Sequence, residues 1–265
     1  MAESLENRSL DRAISLLEVL ARDGACSLHQ LHQRTSLPKS TIRRLMGTLT
    51  RRHLVRVGIS DGLFRPNIAL PWSADRAHAA ETGRLVETAL PHMVELTRRV
   101  EWPSDLHVHQ AGRMCIVEST YSLSPFFIGR RDMVDLQVNL FSAAAGLAYL
   151  SLLDEAQVVA LTRNNRDHPL WGFDRIGLAE TMLLRELADI RSAGYAFRRP
   201  GFNCTAQSRP FYAMAAPITD IHGVVGALTL FWPKPYMTED EFARAYAAEL
   251  CGAATAVSAE LAALS

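Results

Sequence analysis

Apolar positions in the first seventy residues fall at helical spacing in three short runs. In "RSLDRAISLLEVLAR", Leu10, Ala13, Ile14, Leu17 and Leu20 recur every three or four residues, which predicts an amphipathic helix over Arg8 to Arg22. After the "DGA" break, Ser27 is placed to cap a second helix reaching Thr35, with Leu28 and Leu31 inward, and Ser36-Leu37 turns the chain. Pro38 suits the first position of a third helix. Its apolar stripe is Ile42, Leu45, Met46 and Leu49, which leaves Lys39, Ser40, Thr41, Arg43, Arg44, Thr48 and Arg51 outside. Two short runs, "LVRVG" and "LFRPN", flank "ISDG", whose Asp-Gly signals a hairpin. Three helices and a hairpin predict a winged helix-turn-helix over residues 1–68.

Beyond it the period changes. Ala69 to Val100 is mostly helical in pattern, with Gly83 and Pro91 as expected breaks; residues 69–90 are expected to link to a second domain over 91–265. "DLHVHQAGRMCIVEST" alternates about "QAGR" and predicts an antiparallel hairpin, with "PFFIG" as a third strand. Helices are expected over Ser142 to Leu152, Asp154 to Leu161 and Leu178 to Ala193, and strands near Tyr195 and from Phe211 to Pro233, turning at "DIHG". "NNRDHPLWGFDR" reads as a loop; Trp171 and Phe173 either pack it down, the favoured reading, or belong to an interface. Thr238 and Glu241 are spaced as a capping box for a final alanine-rich helix. An antiparallel sheet with flanking helices is the α+β class.

Composition narrows the functional classes. With 265 residues, 48% of them hydrophobic, the chain can build one large or two modest cores. It has no run of about 18 apolar residues, and acids stand in its N-terminus where a secretory signal is basic and apolar, so a soluble cytoplasmic protein with no membrane partner is expected. Cys26, Cys115, Cys204 and Cys251 are far apart and outside any zinc or disulfide spacing, so neither a metal nor a cofactor is expected. Formal net charge is zero, yet residues 1–70 hold eleven Lys/Arg against six Asp/Glu. From Ser36 to Asn67, Lys39, Arg43, Arg44, Arg51, Arg52, Arg56 and Arg65 face a single acid, Asp61. Such a run can be a solvated face, but on a winged helix it meets DNA phosphates, with Arg, Ser and Thr at the front of the third helix able to read bases. Lys39, Ser40, Thr41, Arg43, Arg44, Thr48, Arg51, Arg56 and Arg65 are the candidate DNA-binding residues.

The stretch "RSLDRAISLLEVLAR…SLHQLHQRTSLPKSTIRRLMGTLTRRHLVR" resembles the N-terminal domain of the IclR family of bacterial transcriptional regulators. "NLFSAAAGLAYLSLL" and "AMAAPITDIHGVVGALTL" resemble motifs of that family's effector-binding domain, and "VEWPSDLHVH" and "IGRR" resemble its MhpR-like branch of phenylpropionate-catabolism activators. The resemblance implies a GAF-like effector domain. It places an anionic ligand at the Ser142 to Ala145 helix start, where free backbone N–H groups point outward, and this marks Ala144 and Ala145. Family members that take small oxoacids carry a Cys in the strand before A-A-P and Ser-x-Ser in the next; here Ala213, Thr229 and Phe231 stand at those places. Losing polar groups and gaining a ring favours a larger aromatic carboxylate, though Phe231 can equally fill core. Tyr121, Ser124 and Asn203 are further candidates to face it. The segment "RRDMVDLQVN" is longer than the family norm.

His107 and His109 alternate onto one strand face together with Asp105. They can be structurally hydrogen-bonded or solvent-facing, line a ligand cavity or, on the weak signal of His-x-His, bind metal. No Gly-flanked serine elbow or metal-binding histidine pair occurs, so catalytic residues are not expected. The expected function is a ligand-responsive, sequence-specific DNA-binding regulator, a homodimer or tetramer on a double-stranded operator, sensing an aromatic acid and controlling its catabolism. The alternatives are a DNA-tethered enzyme acting on a small carboxylate and a winged-helix protein that senses nothing.

Overall fold

Capping side chains set the ends of the first helices. In the computed structural model, which describes residues 7–67, 76–126, 134–200 and 211–264 (for 76–79 the backbone alone), the Asn7 side chain accepts from the N–H groups of Ser9 and Leu10 and opens α1 (Arg8–Asp23). A reciprocal box between Ser27 and Gln30 opens α2 (Leu28–Thr35), and left-handed Ser36 ends it. Pro38 is the cap of α3 (Lys39–Arg51), one place earlier than expected. Leu16, Leu17, Val19, Leu20, Leu31, Ile42, Met46 and Leu49 form the buried core of this part. The N-terminal half of the α1 stripe lies outside that core: Leu10 is 60% exposed and Ile14 39%, because the core gathers around the last two turns of the helix. The hairpin follows as β1 (Val55–Val57) and β2 (Phe64–Pro66), with a bridge from Cys26 to Phe64 tying it to the helices.

α4 (Arg76–Val100) runs unbroken through Gly83 and Pro91, contrary to the expected breaks. Gly83 is a point of close approach instead: a Cβ there would stand 2.9 Å from the Asn67 Cα and carbonyl oxygen. Pro91 removes one backbone hydrogen bond, but the fully buried Ala89 and Met93 on either side hold the helix in register. Within α4 the chain divides into two units, one up to Glu87 and one from Thr88.

The second unit is an antiparallel sheet. β3 (Ser104–Gln110) and β4 (Arg113–Ser119) turn at Ala111 and Gly112, both at positive φ, as "QAGR" predicts. Of "PFFIG", Pro125 and Phe126 are bends and the rest lies outside the described residues. β4 pairs instead with a short strand that the sequence reading missed, β5 (Gln137–Asn139). α5 (Ala144–Ser151), α6 (Glu155–Asn164) and α7 (Glu180–Ala193) follow, then β6 (Ala196–Phe197), β7 (Phe211–Asp220), β8 (Gly223–Pro233) and α8 (Glu239–Ala263). The order is β5-β4-β3-β8-β7-β6. Alternation along β8 separates the two faces. Trp232 stacks on Phe242 of α8 at 3.5 Å between centroids, whereas Ala215 and Ala227 belong to the core under α5. The loop between α6 and α7 is packed down: Phe173 is buried edge-on to Phe141, and Trp171 lies under the Arg113 guanidinium.

α5 sits close because both surfaces are small. Ala144, Ala145 and Ala148 share one buried cluster with Ala215 and Ala227, and Gly146 passes so near Leu140 that a Cβ would stand 2.1 Å from its carbonyl oxygen. Gly252, inside α8, has nothing within 4 Å of the same position. Gly252→Ala is therefore expected to stabilise the protein by up to about 1 kcal/mol through helix propensity. Gly146→Ala is expected to destabilise it by more than that, since backbone must move; urea unfolding of the two variants checks for opposite signs.

Candidate functional site

Two sites emerge, one in each unit. In the first, α3 buries Ile42, Met46 and Leu49 and exposes Lys39, Ser40, Arg43, Arg44, Thr48 and Arg51 on the other side, with Thr41 half-buried. Arg51 donates to the Thr48 hydroxyl, which donates to the Arg44 carbonyl. None of Lys39, Arg43, Arg44 and Arg51 is ion-paired among the described residues, so the face is cationic and open to an anion.

Arg65 corrects the sequence reading. It is 5% exposed, and its guanidinium grips Asp61 through two bonds of 3.1 and 2.8 Å. Burial would raise the Asp61 carboxyl, but the bonds from Arg65 and the Leu63 N–H, with the charges of Arg65 and Arg56, outweigh it and hold the group below its ordinary range. Arg65 therefore builds the wing rather than meeting phosphate: seven basic residues in a run did not reveal that one was needed inside. Its cross-strand neighbour Arg56 is half-buried.

In the second unit, strand register gathers the other candidates on the sheet face beneath α5. Ser119, Asp105, Thr229 and Ala215 are successive partners across β4, β3, β8 and β7, a polar rung. Ala213 and Phe231 pair one step along, and Phe231 packs with Tyr121, Phe126 and Phe211, an aromatic rung. His107 lies on the other side of the polar rung, opposite Ala227. His107, Asp105 and Thr229 are each under 5% exposed, and the His107 Nδ1 is 3.2 Å from the Thr229 hydroxyl.

The electrostatics of the polar rung follow from burial. Burial pushes the Asp105 carboxyl up to about 7, with Glu118 adding to the rise and a hydrogen bond from Ser119 opposing it. Burial pushes His107 down to about 4, against a hydrogen bond to the Asp105 backbone. The histidine is neutral at pH 7. One Asp105 carboxylate oxygen, Oδ1, has no hydrogen-bond partner among the described residues.

α5 begins at Ala144, two residues after the expected start, on an Ala143 cap that offers no side-chain bond. Ala144 and Ala145 are 2% exposed and, as first-turn residues, carry N–H groups without intrahelical partners. The turn into the helix is fixed by Arg199, whose Nε donates to the Phe141 carbonyl at 3.1 Å and whose backbone N–H donates to the Ser142 carbonyl at 2.9 Å; Glu186 holds the guanidinium.

Other candidates go elsewhere. Ser124 donates its hydroxyl to the Glu101 carbonyl and accepts from the Phe126 N–H, tying down a loop. His109 stacks on Tyr149 of α5 at 5.1 Å, a packing contact at the far end of the face. Asn203 lies outside the described residues. Asp105, Phe126 and Phe211 were missed as site residues. Period-two counting from His107 reaches Asp105, but nothing local marks its lack of a partner. A separate cavity of about 400 Å³, lined by Glu186, Ile190, Tyr195, Phe197 and Arg199 among others, contains none of the expected effector residues. Among the described residues no three His, Cys, Asp or Glu side chains gather as a metal set, and no helix is long and apolar enough to cross a membrane.

Comparison with known proteins places this geometry. Residues 9–57 match the IclR helix-turn-helix domain, and residues 77–259 match the bacterial transcriptional regulator IclR C-terminal domain. The HTH-type transcriptional regulator BhcR of Paracoccus denitrificans is 28% identical over 231 residues, 83% of this chain and 75% of that protein. Three solved structures share the fold. A transcriptional regulator from Rhodococcus sp. RHA1 has a TM-score of 0.59 at 18% identity, over 98% of this chain and 100% of the other. HmgR of Pseudomonas aeruginosa has 0.53 at 19%, over 96% and 98%. An IclR homologue from Microbacterium hydrocarbonoxydans, solved with 4-hydroxybenzoate, has 0.52 at 24%, over 96% and 99%.

The two shifted groups tie stability to pH with opposite signs. Between its folded value of about 4 and the ordinary 6.5, His107 is protonated only when unfolded, so its contribution to stability rises with pH. Between the ordinary 3.8 and its folded value of about 7, Asp105 is protonated only when folded, so its contribution falls. Each slope approaches about 1.4 kcal/mol per pH unit. From pH 4 to 6.5, the stability of Asp105→Asn minus wild type is expected to rise with pH, and that of His107→Gln minus wild type to fall, as read by denaturant unfolding.

Proposed function

The chain belongs to the IclR family of bacterial transcriptional regulators, and on that premise we propose that it senses an aromatic carboxylic acid and controls the genes for its catabolism. The observation that carries the ligand class is the aromatic cluster of Tyr121, Phe231, Phe126 and Phe211, with Phe231 on the same strand face as Thr229 and Ala227. The ring stacks there, and the carboxylate takes the N–H groups of Ala144 and Ala145 at the start of α5. The phenylpropionate-branch resemblance of "VEWPSDLHVH" supports the same class, as does the aromatic acid bound by the Microbacterium hydrocarbonoxydans homologue.

On the DNA side, α3 enters the major groove with Lys39, Ser40, Thr41, Arg43 and Arg44 toward the bases, and Thr48, Arg51 and Arg56 toward the backbone. One winged helix covers too few base pairs for tight specific binding, so the cytoplasmic regulator acts as a homodimer or tetramer on paired half-sites. The effector changes operator affinity only through a difference in its own affinity for the DNA-bound and free states. In the site the Thr229 hydroxyl stands 3.2 Å from the His107 Nδ1, but both groups are buried in the sheet face, which favours a structural hydrogen bond and sensing over turnover of the ligand.

The two halves of the proposal are checked separately. Arg43→Ala and Arg44→Ala are expected to weaken operator binding, by about 1–3 kcal/mol where a base contact is lost and with a smaller salt slope where a phosphate contact is lost. Arg65→Ala is expected to lower stability instead, since it strands Asp61 in the wing. Gel-shift titrations at several salt concentrations, with thermal unfolding beside them, separate these outcomes.

For the ligand, Phe231→Ala is expected to weaken an aryl acid more than an aliphatic acid of similar volume, by about 0.5–1.5 kcal/mol. Ala144→Leu is expected to block both. Calorimetric titration with 3-phenylpropionate, benzoate and pyruvate checks this, and a wild-type preference for pyruvate over every aryl acid overturns the aromatic reading.

A further inference from the structure

The aromatic rung lies directly beside the polar one. Phe231 and Asp105 are diagonal neighbours on adjacent strands, which sets them roughly 7–8 Å apart, with their Cβ atoms somewhat closer. α5 rests mainly on β7 and β8, and Asp105 is one strand further out, on β3. A flat ligand anchored at the start of α5 and stacked on Phe231 therefore points its far end toward Asp105.

Asp105 is 3% exposed, and its Oδ1 has no hydrogen-bond partner among the described residues. Its other contact is the Ser119 hydroxyl. The neighbouring Thr229 hydroxyl is engaged with His107. A buried carboxylate oxygen with no donor is a costly feature, which a bound donor would relieve. A second anion is disfavoured at the same place, because Glu118, 1% exposed on β4, already acts on Asp105.

We infer that Asp105 is a specificity-determining residue of this site, reading a hydrogen-bond donor, a hydroxyl on the ring of the aryl acid, at the end of the ligand away from its carboxylate. The inference rests on the aromatic-acid reading and deepens it. A donor on Oδ1 favours the ionised form of Asp105. Because burial holds the free group near its midpoint around neutral pH, binding the hydroxylated ligand releases a proton from Asp105 to solvent. An unsubstituted acid, offering nothing to Oδ1, releases none.

The test uses the full-length protein with benzoate and 3-phenylpropionate, each unsubstituted and with a hydroxyl or a methoxy group at the meta or para ring position. Methoxy matches the oxygen and removes the donor. In wild type the best hydroxylated form is expected to bind roughly ten- to a hundredfold tighter than its parent and its methoxy analogue. At pH 6.5, calorimetry in phosphate and in Tris is expected to show proton release with the hydroxylated ligand alone. In Asp105→Ala the hydroxyl advantage is expected to fall to about twofold or less while the parent still binds; Asp105→Asn, which keeps an uncharged acceptor, retains an intermediate advantage. The wild-type comparisons hold even if a variant fails to fold. Equal binding of hydroxylated and parent acids by wild type, or a hydroxyl advantage that persists in Asp105→Ala without proton release, overturns the role of Asp105 and leaves the aromatic-acid reading standing. Binding by no aryl acid at all overturns both.

Discussion

The close approach of α5 to the sheet is the constraint on which the second unit depends. A helix that brings Ala144, Ala145 and Ala148 into one buried cluster with Ala215 and Ala227 of the sheet adds little side-chain volume there. Gly146 takes this to its limit against Leu140. Interiors are close-packed, so no larger residue can be added there without displacing strands. The benefit is positional. The turn just before α5 is held by the Asn139 and Arg199 hydrogen bonds, so the N–H groups of its first turn have a fixed place. A looser helix would carry the same groups to no fixed address.

The first unit shows how one residue type divides between structure and recognition. Arg65 and Asp61 are a buried pair in a hairpin of only three residues per strand, where no apolar core of its own can form. Removing one partner of such a pair strands the other charge, so the pair fixes the wing geometry whatever its net worth to stability. Arg43, Arg44 and Arg51 stand on a helix whose opposite side is already sunk in the core, and their side chains are exposed. The same chemistry thus serves two ends, decided by whether an acid lies within reach of the folded chain.

Periodicity made most of the fold legible, and the exceptions share a cause. Capping residues such as Ser27, Asp154 and Thr238 act within four residues and can be read directly. Gly83 and Pro91 were expected to break α4 because local propensity says so, yet packing around Ala89, Met93 and Asn67 overrides it. β5 has three residues and exists only because β4 offers an edge. In the site, family motifs pointed to Ala213, Thr229 and Phe231, whereas the fate of Arg65 and Ser124 depended on partners in space. Asp105 was visible on the face but not as an unpartnered group, because the absence of a partner is a property of all its neighbours at once.

That absence bears on what the sheet face is for. A face selected for stability alone would carry Val, Ile and Leu where β3 carries Asp105 and His107, since buried polar groups cost free energy unless fully hydrogen-bonded. Here the cost is moderated by proton equilibria that run against each other. Asp105 holds a proton when folded that it would lose when unfolded, and His107 does the reverse, over nearly the same acidic interval. Their pH dependences offset, so the fold can keep both groups buried without a steep loss of stability on either side. What remains is the Asp105 Oδ1, which has no hydrogen-bond partner among the described residues, beside an aromatic cluster. A stability argument has no use for that oxygen, whereas a recognition argument does: an incomplete hydrogen bond inside a shaped face discriminates between ligands that complete it and ligands that do not.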